Sequence, residues 1–296
     1  MPDITEYPPG WPAWIELASP DVEGSKEFYC ELFGWGVYDV TIPGLTDLSM
    51  FTLGDLGPEV LGMQPLADSA QYPSWLCYFR AGDLQTTGQA VADAGGQVLS
   101  DLIDVADLEQ LAMFGDREGA DFAVVQPRRL HGAAVIDEPS AVCWVELACR
   151  RPGQARMFYE QVFGWQAVER RFRDRPVTAW KAGGHVVASV IEMDDSFPTG
   201  YPPHWFPWIW VEDCDATVSR AAELGASIRF GPTDEEQVAM GRMAFMTDPA
   251  GARFAVITPH GDWMGNRLNS TPHHPPPENN RKWWQKPPSL RSRLRR

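Results

Sequence analysis

The sequence lacks several features that would each have fixed a function class. No apolar stretch approaches the ~20 residues a membrane span needs, and the opening MPDITEYPPGWPAW has no basic start followed by an apolar run, so neither a membrane helix nor a secretory signal is expected. The five cysteines (Cys30, Cys77, Cys143, Cys149 and Cys214) are odd in number and contain no C-x-x-C pair. This argues against a disulfide framework and a thiol redox or zinc motif, and for a reduced, cytoplasmic protein. No G-x-G-x-x-G stands between a strand and a helix, so nothing announces a dinucleotide, and no cofactor is expected. Positive charge is also scarce: 25 Lys and Arg stand against 40 Asp and Glu, for a formal net charge of −15. Eight basic and only two acidic residues fall between Gly261 and Arg296, so this tail carries +6 and the remainder −21. An acidic body repels nucleic acid and anionic lipid, which leaves neither as an expected partner of residues 1–260.

What is present is a repeat. Trp14-Ile15-Glu16-Leu17-Ala18 returns as Trp144-Val145-Glu146-Leu147-Ala148, offset by 130 residues. Phe28-Tyr29 with Phe33-Gly34-Trp35 returns as Phe158-Tyr159 with Phe163-Gly164-Trp165, and Trp75, Asp83 and Gly95 return as Trp205, Asp213 and Gly225. Asp116-x-x-Gly119 matches Asp248-x-x-Gly251 two residues later. One register over five landmarks is a duplication. Two domains are expected over 10–128 and 140–260, with a basic, Pro-rich tail over 261–296 whose composition favours disorder.

Each copy reads as two βαβββ units. In the first, Trp14–Ala18 is a short apolar strand closed by Ser19-Pro20-Asp21, a turn and N-cap signal. Val22, Phe28, Tyr29, Leu32 and Phe33 then share one helical face, and Gly34 stops the helix. Strands are expected at 36–40, 49–53 and 60–64. A second strand–helix pair follows at 75–80 and 83–94, then strands at 97–105, 110–114 and 121–126. The helix-face aromatics Phe28 and Phe158, with Trp35 and Trp165, are assigned to the core.

The order W-x-E-L, then F-Y-x-x-x-F-G-W, a Gly-ended helix and D-P-x-G-A-x-F resembles the glyoxalase/bleomycin-resistance/dioxygenase, or vicinal oxygen chelate, superfamily, in particular bacterial two-domain glyoxalase-like and hydroxylase-type members. Asp248–Phe254 carries the last motif well and Asp116–Phe122 a degenerate form, and the likeness spans roughly residues 10–260. It implies an α+β fold in which tandem domains, each of paired βαβββ units, curl a mixed sheet around a cavity. It also implies a divalent ion there, bound by His or Gln on the first strand, His on the strand opening the second unit and Glu on the last. At those positions stand Trp14, Leu76 and Ala123, and Trp144, Phe206 and Ala255, none of which ligates a metal. Asp121, two residues before Ala123, remains a possible ligand in the first copy, but no metal site is expected, and indoles take the space of the ion. A metal-dependent lyase or dioxygenase is the less favoured alternative.

Glu16 and Glu146 lie two residues beyond those tryptophans and share their strand face. A carboxylate between aromatic walls has a raised pKa and can serve as general acid or base. It can equally accept hydrogen bonds from neighbouring groups in a structural role. His185, in a strand of the second copy, and His204, which shares strand parity with Phe206, complete the candidate catalytic set, although His204 could instead cap the Pro-rich loop 197–203. Trp14, Trp75, Tyr78, Trp144, Trp205 and Trp208 are the candidate ligand-binding aromatics. The expected function is binding and acid–base conversion of a small hydrophobic or aromatic molecule in secondary-metabolite tailoring, resistance or detoxification, by a monomer or homodimer. A ligand-sequestering protein and an interaction protein with a collapsed cavity are the alternatives.

Overall fold

The computed structural model describes residues 7–41, 47–68, 71–105, 108–129, 132–172, 175–195, 197–234 and 241–260. The C-terminal tail lies outside them. The first half contains β1 (Pro12–Ser19), α1 (Val22–Phe33), β2 (Trp35–Val40), β3 (Leu48–Leu53), β4 (Glu59–Pro65), β5 (Ser74–Arg80), α2 (Leu84–Asp93), β6 (Gln97–Val98), β7 (Ile103–Val105), β8 (Glu109–Gly115) and β9 (Asp121–Pro127). The second contains β10 (Val142–Cys149), α3 (Pro152–Phe163), β11 (Gln166–Phe172), β12 (Arg175–Ala182), β13 (His185–Glu192), β14 (His204–Trp210), α4 (Cys214–Glu223), β15 (Ser227–Asp234), β16 (Gly241–Thr247) and β17 (Arg253–Pro259). The strand expected over 97–105 is split: β6 and β7 each pair with β8, and the intervening Ser100 hydroxyl accepts from the Met113 amide.

In each half the first strand is the hinge of a curved mixed sheet. β1 runs parallel to β4 and antiparallel to β5, which runs parallel to β9. β10 stands in the same relation to β13 and β14, and β14 to β17. The two sheets touch where Trp75 of β5 pairs with Trp205 of β14.

The helices start and stop where the local chemistry says they should. Asp21 caps α1 by accepting from the Gly24 amide, and Gly34, at φ 68°, takes the left-handed conformation that closes it. α3 begins after Arg151, which offers no cap of its own. Glu118, from the other half, accepts the Arg150 and Arg151 amides at 2.8 and 3.0 Å instead.

The core explains the Phe-Tyr and Gly-Trp motifs. The halves pack helix side to helix side, and each motif reaches into the opposite half. Tyr29 of α1 donates to Asp248 beyond β16 at 2.8 Å, and Tyr159 of α3 to Asp116 beyond β8 at 3.3 Å. The Trp35 indole donates to the Ser140 carbonyl and the Trp165 indole to the Gly10 carbonyl. Tyr29 meets Phe254, and Tyr159 meets Phe122, edge to face at 5.7 Å. The repeat thus builds one shared aromatic core around a pseudo-twofold axis. The other, concave face of each sheet points away from this core. No helix among the described residues is long and apolar enough to cross a membrane.

Candidate functional site

Strand alternation sorts β1 cleanly. Ile15 and Leu17 enter the helix-side core, whereas Trp14 and Glu16 point to the concave face. Trp14 sits in register with Tyr78 of β5, which faces Ala123 of β9, which faces Met113 of β8. One pleat further on, Glu16 lies between Gly62 of β4 and Leu76 of β5. The second half repeats both rows, as Trp144–Trp208–Ala255–Phe245 and Ser189–Glu146–Phe206.

Both oxygens of the first-half glutamate are engaged. The Trp14 indole donates to Glu16 Oε1 at 3.0 Å and the Tyr78 hydroxyl to Oε2 at 2.6 Å. Gly62 makes this possible: a Cβ there would stand 2.9 Å from Glu16 Cγ and 3.2 Å from the Trp14 ring. Burial raises the Glu16 pKa, against the lowering effect of those two donors. It also drives the Tyr78 hydroxyl well up, helped by the charges of Glu16 and Glu109, so the phenol stays protonated.

Glu109 is a residue the sequence reading passed over. It opens β8 and shares the strand face of Leu111 and Met113, which belong to the concave cluster with Tyr78 and Ala123. It is half-buried, and no side-chain hydrogen bond holds it among the described residues. Burial first, and the nearby Glu16 carboxylate second, push its pKa up to about 7. Extending the expected strand back by one residue and applying alternation would have found it.

The second half keeps the glutamate and changes its surroundings. Ser189 replaces Gly62; its hydroxyl accepts from the Trp144 indole at 2.7 Å and donates to Glu146 Oε1 at 2.6 Å. Trp208 replaces Tyr78 and donates to Glu146 Oε2 at 3.2 Å. Burial raises the Glu146 pKa to about 7. Trp208 and Phe206 both meet Phe245 edge to face, at 5.1 and 6.0 Å. The counterpart of Glu109 is Gly241, whose partner Pro259 occupies the place of Pro127.

The structure therefore brings Trp14, Glu16 and Tyr78 together on one face, and Trp144, Glu146 and Trp208 on the other. It corrects the remaining assignments. Trp75 and Trp205 belong to the opposite face. They are 3% and 0% exposed in the helix-side core, with Trp75 against Tyr29 and Trp205 donating to the Tyr159 hydroxyl. Their odd register relative to Tyr78 and Trp208 excludes them from the concavity. His185 packs beside Trp11 at 5.2 Å, four residues and so ~13 Å along β13 from the Ser189 that meets Glu146. His204 fulfils the capping alternative, with Nδ1 on the Pro202 carbonyl at 2.9 Å, and burial holds its pKa down at about 4.

A divalent ion does not fit either face. The positions that the fold would use carry indole, alkyl and phenyl groups, and Glu16 and Glu146 beside them have both oxygens committed to N–H and O–H donors. Among the described residues no group of three or more His, Cys, Asp or Glu is placed to hold a metal.

A family profile described as a glyoxalase-like domain matches residues 144–257. The chain is 36% identical, over 266 residues, to the anthracycline biosynthesis protein DnrV of Streptomyces peucetius, a match covering 86% of this chain and 95% of the relative. The chain belongs to the glyoxalase-like, vicinal oxygen chelate family. Solved glyoxalase-like folds agree. The 2,2',3-trihydroxybiphenyl 1,2-dioxygenase of Sphingomonas wittichii strain RW1 superposes with a TM-score of 0.61 at 11% identity, over 85% of this chain and 91% of that one. The Mn(II)-bound glyoxalase of Novosphingobium aromaticivorans does so with 0.57 at 13%, over 91% and 96%. At such identities the likeness speaks for the fold.

Proposed function

We propose that the first half performs acid–base chemistry on a small, largely apolar aromatic molecule of secondary metabolism, with Glu109 as the proton-transfer group. The observation that carries this reading is a half-buried carboxylate, titrating at about 7, that shares a concave apolar face with a buried Glu16–Tyr78 pair. A group near neutrality both takes and returns a proton efficiently. Trp14, Leu76, Leu111 and Met113 supply the apolar walls. The relative's name ties it to anthracycline biosynthesis, and a fused-ring aromatic ketone suits such walls.

In the step that this arrangement supports, Glu109 removes a proton from carbon next to a ligand carbonyl and returns it to the same or a neighbouring atom. Charge develops on the carbonyl oxygen. The Tyr78 hydroxyl, which donates to Glu16 Oε2 in the resting site, turns to donate to that developing charge. Trp14 continues to donate to Oε1. Atoms balance without an oxidant, and the residues at the ion positions give no reason to route the step through a metal. A monomer or homodimer suffices, since each concave face is built by one chain.

The test is deuterium uptake. An anthracycline aglycone incubated in D2O should exchange carbon-bound hydrogen faster with the protein than without it. Glu109→Gln should abolish that acceleration while leaving binding of the aglycone intact. Binding without any exchange, in wild type as in variant, would support sequestration instead; the ring-packed face of the second half, with Trp144 and Trp208 buried, favours that role there.

A further inference from the structure

One end of the second concave face holds a group of side chains that the proton-transfer reading does not use. Arg253, the first residue of β17, points to the same face as Ala255. Its guanidinium lies over the rings of Phe197 and Tyr201, with Cζ 4.3 and 4.6 Å from their centroids. This sandwich holds the planar fork in one orientation. Arg253 pairs in register with Thr247, whose hydroxyl accepts from Arg229 Nε at 2.9 Å, so the second guanidinium stands beside the first. His204 completes the cluster, its ring 5.1 Å from Tyr201 and 6.0 Å from Phe206.

Two features of this cluster are incompletely satisfied. Among the described residues, no carboxylate bridges either Arg253 or Arg229, in a chain of net charge −15. Arg253 is half-buried; burial lowers its pKa, the hydrogen-bonded Tyr201 hydroxyl raises it, and the charge of Arg229 lowers it again. His204 is 8% exposed, and its Nε2 is buried with no hydrogen-bond partner. Because the Pro202 carbonyl can only accept, Nδ1 carries the proton and Nε2 presents a lone pair. A buried acceptor without a donor is costly and marks a place for one.

The repeat supplies an internal control. In the first half the counterpart of Arg253 is Asp121, that of Thr247 is Gly115, and that of His204 is Ser74. The fold does not need this cluster.

We propose that the Arg253–Arg229–His204 end of the second half binds a hydroxylated aromatic acid. Arg253, held by Phe197 and Tyr201, and Arg229 hold the carboxylate, Phe206 flanks the ring, and the ring hydroxyl donates to His204 Nε2. The site is independent of Glu109 and lies in the other half of the molecule.

Calorimetric titration of the full chain with benzoate, 2-hydroxybenzoate, 3-hydroxybenzoate and inorganic phosphate tests this at neutral pH. At least one hydroxybenzoate should bind with one site per chain and about tenfold tighter than benzoate, the gain of satisfying one buried acceptor. Arg253→Gln should weaken it by tenfold or more, and Arg229→Gln, at an exposed position where folding is not at stake, by severalfold. His204→Phe should erase the advantage of the hydroxybenzoate over benzoate. Phosphate competing as well as the hydroxybenzoates would overturn the assignment in favour of a general oxyanion site. Equal affinity in wild type and Arg229→Gln, or no binding of any carboxylate, would overturn it outright.

Discussion

Glu146 gives the most quantitative test of the electrostatics. Its carboxyl is 4% exposed and titrates at about 7, against an ordinary 4.5, because burial outweighs the hydrogen bonds from Ser189 and Trp208. The folded state therefore binds this proton more tightly than the unfolded chain does. The resulting stabilisation is fully present below pH 4.5 and is lost as the pH rises through about 7. At about 1.4 kcal/mol per pH unit, the loss between those limits is about 3 kcal/mol. Glu146→Gln should remove the dependence without disturbing the site. The amide oxygen can still accept from the Trp208 indole, and the amide nitrogen can donate to Ser189 Oγ, which also accepts from Trp144. Urea unfolding of both proteins at pH 4.5 and pH 8 measures the effect. The variant should match wild type at the lower pH and exceed it by about 3 kcal/mol at the higher, or roughly 6 °C in Tm for a chain of this size. Comparing the two proteins cancels other groups that titrate in the same window, Glu109 among them. Parallel stability–pH curves would refute the reasoning, because they would mean that the carboxylate is already solvated.

Four further substitutions probe the scaffold. Ser189→Ala strips Glu146 Oε1 and the Trp144 indole of their shared partner and should cost about 1–3 kcal/mol in urea unfolding. Tyr29→Phe removes the bond to Asp248 across the two halves and should cost a similar amount, adding to Tyr159→Phe within about 0.5 kcal/mol because the two pairs share no atoms. Glu118→Ala uncaps α3 from the opposite half and should cost about 1–2 kcal/mol, with faster amide hydrogen exchange at Arg150 and Arg151.

Much of the architecture was legible because it rests on local signals repeated at one offset. Val22–Phe33 and Pro152–Phe163 end where Gly34 and Gly164 take positive φ, and those glycines are visible in the sequence. The face of Trp14 and Glu16 followed from alternation alone. The face of Trp75 and Trp205 did not: indoles suit either side of a strand, and their odd parity relative to Tyr78 and Trp208 becomes decisive only once the sheet partners are known. Ser189 and Glu109 were hidden for a related reason. Each acts on a residue more than 40 positions away, through strand pairing that no periodicity encodes. The reach of Tyr29 to Asp248 is likewise invisible locally, since both ends look complete within their own motif.

The divergence of the two halves has a backbone cause. A protonatable glutamate beside an indole is common to both, so a raised proton affinity belongs to the scaffold, as Glu16 and Glu146 show. What differs is whether a second titrating group can join it. In the first half Glu109 stands on β8 opposite Pro127, close enough for the charge of Glu16 to raise its pKa. In the second half the same register position is Gly241, at φ 142°, where a Cβ would lie 2.2 Å from the Thr258 carbonyl oxygen. No side chain fits there without moving β17, so the second half cannot acquire the counterpart of Glu109 by substitution alone. Its glutamate is left with two neutral donors and an aromatic lid. That arrangement fixes the carboxyl in place, whereas the first half leaves room for a second carboxyl on the same face.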